Sequence, residues 1–324
     1  MLVLFAILTL TGAGSNTLLA AQPQPRGSIL FDETLNEYGE SRIGSGYAGL
    51  ARELRSLGYA VDALTQGPIT YEKLSQYDAF TIMAPFTPPR SLTTDEIDAI
   101  RRFVSAEGGL FMAAVGWSWV SYAKVDIASN PANQIGSVFG IVVNDDVIYD
   151  PTDNVGGPSA PTFHQFANHP VATGLHRIGI EGEPSSLSVR GDAKPVVWGD
   201  DDSYARSSST YTYRVGAHPP FAAAVEFGGG RVVYVGHDGV FHDRNLYKYD
   251  NLRFALNIFG WLVQTKRTTT VTLIQTVTDV TTEHSVSTLA SASVALAAFA
   301  FLGGYLLARK RRNKHTVDDD TKIW

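Results

Sequence analysis

Thr94-Asp-Glu-Ile-Asp-Ala-Ile-Arg-Arg-Phe-Val-Ser-Ala-Glu-Gly-Gly-Leu-Phe-Met-Ala-Ala-Val115 reads in two halves. Ile97, Ile100 and Val104 recur at helical spacing, and an N-terminal Thr with an acidic first turn suits the positive end of a helix dipole. Gly108-Gly109 ends that helix. Leu110 to Val115 is then a continuous apolar run, too short for a helix and opened by glycine, which is the pattern of a strand buried on both faces.

The same alternation extends outward in both directions. Upstream, Ser28–Asp32 predicts a first strand, and Tyr47–Leu57 a helix with Leu50, Leu54 and Leu57 on one face, stopped by Gly58. Tyr59–Leu64 and Ala79–Met83 are the next two strands. Downstream, Phe221–Phe227, Gly228-Gly-Gly230 and Arg231–Val235 form a glycine-turned hairpin joined to the sheet. Asn251–Val263 closes the domain as a helix with Phe254, Ile258 and Leu262 on one side. Strands separated by helices of this length imply right-handed crossovers and an α/β fold with a mostly parallel sheet. The region from Trp117 to about Ala217 is less regular. Asn133–Phe139 reads as a short helix, Ile141–Val143 and Val147–Tyr149 as a strand pair, and Pro151–Pro161 as loop.

The two ends of the chain set its expected compartment. Thr288–Ala308 holds no Asp, Glu, Lys or Arg over 21 residues and is followed by Arg309-Lys-Arg-Arg312. At about 1.5 Å per residue such a helix is roughly as long as a bilayer core is thick. The basic cluster is a positive-inside signal. Residues 1–21 resemble a secretory signal, with an apolar run from Leu2 to Leu10 and small residues after it. The expected layout is a signal peptide (1–21), an extracellular domain (27–264), a stalk (265–287), a transmembrane helix (288–308) and a basic cytoplasmic tail (309–324). The stalk is inferred from its Thr/Val repetition, which is too polar for a core. A chain so arranged is a single-pass cell-membrane protein with its N-terminal domain outside.

Formal charge is −6 over 324 residues, with 26 Lys and Arg against 32 Asp and Glu. The tail after Ala308 is itself basic, so the exterior part is more acidic than the whole. An acidic domain lacks the basic face that nucleic acid requires. Cysteine is absent, which excludes disulfides, thiolate nucleophiles and Cys-based zinc sites.

Three segments taken together carry a family resemblance. They are Ile29-Leu-Phe-Asp-Glu33, then Tyr77-Asp78 through Gly108-Gly-Leu-Phe-Met112, and then Gly230-Arg-Val-Val-Tyr-Val-Gly-His-Asp238 leading into Asn251-Leu-Arg-Phe-Ala-Leu-Asn-Ile-Phe-Gly-Trp261. Their order resembles class I glutamine-amidotransferase-like domains of unknown function, related to auxiliary domains of gliding-type ABC transporters and to the intraflagellar-transport domain. His169-Pro-Val-Ala-Thr-Gly174 is similar to a recurring element of that group. The Thr/Val stalk with one anchor is similar to those of archaeal cell-surface proteins. The resemblance implies a flavodoxin-like three-layer fold with helices on both faces, and often a lost catalytic triad. The enzymes place a Cys at the turn after the strand equivalent to Leu110–Val115. Here that turn is Gly116-Trp-Ser-Trp-Val120, so glutamine hydrolysis by a Cys is excluded.

In open α/β sheets ligands sit beyond the carboxyl ends of the strands. That rule collects Asp32, Glu33, Pro85, Phe86, Trp117 to Trp119, His237 and Asp238. Gly116-x-Ser118 partly matches a nucleophile elbow, with His237 as base and Asp238 (or Asp32 or Glu33) orienting it, although Val120 replaces the second glycine. The bland reading of Trp117, Trp119 and Tyr122 is packing at the sheet edge. Read functionally, they stack on a sugar or grip a partner, with Asp32, Glu33 and Phe86 beside them. His237, Asp238, His242 and Asp243 are more simply a hydrogen-bonded turn than a metal site. Asp200-Asp-Asp202 is a solvated loop before it is a calcium site. No Gly-x-Gly-x-x-Gly follows the first strand, so no nucleotide, and no other cofactor or metal, is expected. The expectation is an outward-facing binding or interaction module for a glycan, a peptide or an envelope protein. A serine hydrolase using Ser118 and His237, and an accessory subunit of an ABC-type transporter, are the alternatives.

Overall fold

The structure is a computed structural model that describes residues 25–35, 41–84, 90–208 and 210–263. The expected signal peptide, stalk, transmembrane helix and tail, and Pro85 with Phe86, lie outside the described residues. Among those described, no helix is long and apolar enough to cross a membrane.

In chain order the elements are β1 (Gly27–Asp32), α1 (Ala48–Ser56), β2 (Tyr59–Leu64), α2 (Tyr71–Leu74), β3 (Ala79–Met83), α3 (Thr94–Ser105), β4 (Gly109–Ala113), α4 (Pro131–Phe139), β5 (Ile141–Val143) and β6 (Val147–Tyr149). There follow β7 (Thr162–Phe163), β8 (Gln165–Phe166), β9 (Ile178–Gly179), β10 (Leu187–Val189), β11 (Lys194–Trp198), β12 (Tyr204–Arg206), β13 (Tyr211–Tyr213), β14 (Pro220–Phe227), β15 (Gly230–Val235), α5 (Asp243–Leu246) and α6 (Asn251–Leu262).

The central sheet has eight strands in the order β2-β1-β3-β4-β15-β14-β11-β8. Its first five strands pair in parallel, and the last three are antiparallel. Successive strand residues point to opposite faces, so β1 sends Ile29 and Phe31 into one core layer and Leu30 into the other. The first layer is closed by α1 and α6 through Leu50, Leu54, Phe254 and Phe259. The second is closed by α3 and α4 through Ile100, Phe103, Ile135 and Phe139. Helices on both faces explain why β3 and β4 are buried at every position.

Local chemistry sets where the helices begin and end. The cap of α3 is Thr93, one residue before the expected Thr94. Its hydroxyl accepts from Glu96 N while the Glu96 carboxylate accepts from Thr93 N, forming a capping box. Asn130 caps α4, Pro131 occupies its first turn, and Gly140 ends it at φ +75°.

One expectation is corrected. Ile141–Val143 and Val147–Tyr149 do not pair with each other; β5 pairs with β10 and β6 with β12. Asn133 clamps Val143 through both of its backbone groups, and Asp146 takes the Ser186 N–H and hydroxyl. These contacts pull the ends of the apparent hairpin apart. Pairing β12 with both β6 and β13 builds a separate three-stranded sheet.

Candidate functional site

The parallel strands β1, β3, β4 and β15 end together at Asp32, Met83, Ala113 and Val235, and the chain order reverses between β1 and β3. Loops diverge there and leave a crevice. The edge has two unlike halves.

At β4 and β15 the crevice is filled. The Ser185 hydroxyl accepts the N–H groups of Gly116 (3.2 Å) and Trp117 (3.0 Å) and donates to Asp146 O at 2.8 Å. Ser185 N donates to Gly236 O at 2.9 Å. Gly116 and Gly236 are glycines because of this close approach: a Cβ on the first would strike Asn144 O, and on the second Ser185 O.

Next to this plug lie His237 and Asp238. His237 Nδ1 accepts Gly239 N at 2.8 Å and is 3.0 Å from Asp238 Oδ1. A neutral ring that accepts at Nδ1 carries its proton on Nε2, the reverse of the tautomer a catalytic triad uses. When the ring is protonated, Nδ1 donates to Asp238 instead. The other Asp238 oxygen accepts the Tyr47 hydroxyl. Burial opposes the Asp238 charge, but His237 and Tyr47 outweigh it and hold the carboxyl below its usual range. Burial and the neighbouring Asp238 push the Tyr47 phenol well up. No hydrogen bond joins Ser118 to His237 among the described residues.

At β1 and β3 the strand ends border a groove among the described residues. Asp32 accepts from Thr34 Oγ1 at 2.7 Å and from Leu35 N at 3.0 Å. Burial raises its carboxyl to about 6 despite those bonds and the Arg90 charge. Arg90 pairs bidentately with Glu96, at 2.8 and 3.0 Å. Burial works against the Glu96 charge, but Arg90 and the N–H groups of Thr93 and Ile69 carry it down to about 2. Thr34, Gly67, Pro68, Arg90, Thr93 and Glu96 line a groove of about 350 Å³. Glu33 is committed to Ile43 N at 3.0 Å.

The aromatic residues separate. Trp119, expected as a ligand contact, is 1% exposed and donates its indole N–H to Asp126 O at 3.2 Å. It opens one turn of π-helix, Trp119–Ala123, and is that turn's buried residue. Trp117 and Tyr122 meet edge to face at 5.6 Å, with Tyr122 67% exposed. The His237, Asp238, His242 and Asp243 quartet is not convergent, because Asp243 accepts Gly49 N at 2.8 Å while Asp238 faces Tyr47.

The acidic residues that do converge are Asp150, Asp153 and Asp200, whose carboxylate oxygens lie within 4.8 Å of one another and offer oxygen ligands to a hard cation. Both Asp150 oxygens also organise the local turn, through Thr152 N, Asp153 N and Ser203 Oγ. Sequence reading noticed Asp200 alone. It also missed Ser185 and a row of tyrosines at Tyr149, Tyr204 and Tyr211. Strand register is what unites that row, and register is invisible in composition.

Residues 39–259 match the family described as a domain of unknown function, DUF4350. No curated relative matches the chain. Among solved structures, the mmIFT52 N-terminal domain is 19% identical and covers 74% of this chain and 98% of its own, with a TM-score of 0.59. A protein described as ThuA-like from Bacteroides uniformis is 18% identical and covers 76% and 95%, with a TM-score of 0.49. At these identities the first likeness speaks for the fold alone.

Proposed function

The chain belongs to the DUF4350 family, and on that premise we propose that it is a single-pass, membrane-anchored binding or interaction module. Its α/β domain is displayed outside the cell on a flavodoxin-like, amidotransferase-like scaffold that does no chemistry. The observation that carries this reading is the Ser185 plug. A nucleophile elbow needs an open turn around the nucleophile and a free N–H on the residue that follows it, to receive a substrate carbonyl. Here Ser185 packs into that turn, its hydroxyl taking the N–H groups of Gly116 and Trp117 just before Ser118. The outward placement rests on the apolar stretch 288–308 with its basic collar.

Two measurements test the two parts separately. Trypsin added to intact cells should digest the domain and leave a protected fragment carrying the 309–324 tail; a fully protected domain overturns the topology. The competing hydrolase draws on the 3.0 Å His237–Asp238 approach. Purified protein should show no esterase or peptidase turnover that Ser118→Ala abolishes, and turnover lost in that variant would establish the enzyme instead.

A further inference from the structure

The three-stranded β6–β12–β13 sheet carries a second surface, distinct from the strand-end crevice. Tyr204 of β12 lies opposite Tyr149 of β6, and their rings stack at 5.2 Å with planes 14° apart. Tyr211 of β13 extends the row at 5.7 Å. A bulge makes this possible. The β12–β13 register steps from Ala205↔Tyr213 to Arg206↔Tyr211, so one residue of β12 is spanned by two of β13. Tyr213 therefore follows the fully buried Ala205 toward the core, where its hydroxyl meets Leu187 O. Tyr211 turns to the opposite face and is 46% exposed.

Two arginines flank the row. The Arg206 guanidinium lies 5.3 Å from the Tyr149 ring and that of Arg214 lies 5.9 Å from Tyr211. Neither forms an ion pair or hydrogen bond among the described residues, and Arg206 Nε is buried with no acceptor. A desolvated donor left unpaired is costly. The phenol oxygens of Tyr149, Tyr204 and Tyr211 likewise have no hydrogen-bond partner among the described residues. Asp150 and Asp202 keep their charge beside the row but are hydrogen-bonded to Thr152, Asp153 and Ser203, and among the described residues neither forms an ion pair with Arg206 or Arg214.

We propose that this face binds an acidic polysaccharide, with its carboxylate or sulfate groups on Arg206 and Arg214 and its hydroxyls on the three phenols. Guanidinium N–H groups match such anions geometrically. The phenols both donate and accept, as sugar hydroxyls do. A purely phosphorylated partner would use the arginines and leave the phenols idle. The inference rests on the binding-module reading and names its ligand.

The test uses the full chain in detergent micelles, run in native gels cast with polygalacturonate, dextran sulfate or neutral dextran. Retardation by one or both acidic polymers and none by dextran is expected; the two acidic gels separate carboxylate from sulfate recognition. Arg206→Gln with Arg214→Gln should weaken binding at least tenfold, and Tyr211→Phe, which keeps the ring, about threefold. Arg214→Gln alone lies on the exposed surface and serves if the double variant misfolds. No retardation of the wild type, equal retardation by dextran, or binding unchanged in the arginine variants overturns the proposal. So does binding confined to phosphatidylserine vesicles or a phosphopeptide. Protease protection on cells reports the topology independently, so a failure here leaves outward display standing.

Discussion

Ser185 and Gly116 lie 69 positions apart, yet the Ser185 hydroxyl receives the Gly116 N–H at 3.2 Å. That bond, with its partner from Trp117, the donation to Asp146 O and the Ser185 N–H on Gly236 O, ties the ends of β4 and β15 to the β5–β6 turn and to the segment before β10. The β4–β15 half of the strand-end edge is thereby filled around one hydroxyl.

Ser185→Ala should cost about 1–3 kcal/mol, because two buried N–H groups and one carbonyl lose their partner together. A shift of the urea midpoint at constant slope would show it. An unchanged midpoint would mean that the plug does not hold the edge shut. Gly116→Ala should be worse, since its Cβ meets backbone that cannot swing away.

Tyr47→Phe should destabilise through Asp238, which would keep a buried charge with one donor fewer. Asp238 is held below its ordinary value in the fold. Its contribution is therefore present above the unfolded value of about 4 and is lost as pH falls through the folded one. Removing the phenol raises the folded value, so acid unfolding should begin at higher pH in the variant. Coincident acid-unfolding curves would rule this out.

Asp32 runs the other way. Its carboxyl is raised to about 6 by burial, above an unfolded value of 3.8. The folded state then holds the proton more tightly, and stability from this group declines as pH rises from about 4 to about 6. The decline is at most about 3 kcal/mol and is complete above that range. Asp32→Asn should flatten this limb in melts taken across those pH values. A variant that tracks the wild type would place the titration elsewhere.

Thr93→Ala removes the hydroxyl half of the α3 capping box and should cost about 1 kcal/mol. Glu96, held at about 2 against an unfolded 4.5, stabilises above roughly pH 4.5 and loses that effect as pH falls toward 2. Glu96→Gln should remove this acid-limb slope while the Thr93 variant retains it, which separates the cap from the ion pair with Arg90.

Most of the central sheet was legible in the chain. The strands at Ala79–Met83 and Arg231–Val235 and the helices around Leu50, Ile100 and Phe254 fall where their periodicity places them, within a residue or two at the ends. Hydrophobic repetition is a local property, and a strand covered on both faces announces itself by an unbroken apolar run. The candidate site was legible only as a set of strand ends. Asp32, His237 and Asp238 do reach one edge, as any parallel sheet requires. Their neighbours did not show: Trp119 is buried with its indole N–H on Asp126 O, and Tyr47 reaches Asp238 across 191 positions.

What the sequence determined by itself is therefore the α/β alternation, the lack of a thiol nucleophile and the expectation of one apolar span with a cationic collar. Each is a matter of residue type and short-range spacing. Only the tertiary structure decided that Ser185 fills the turn after β4, that β5 and β6 take different partners, and that a bulge lines Tyr211 up with Tyr204 and Tyr149. Those outcomes depend on register and on contacts between distant segments. A one-residue step in pairing sends a side chain to the other face of a sheet, and local sequence carries almost no information about such a step.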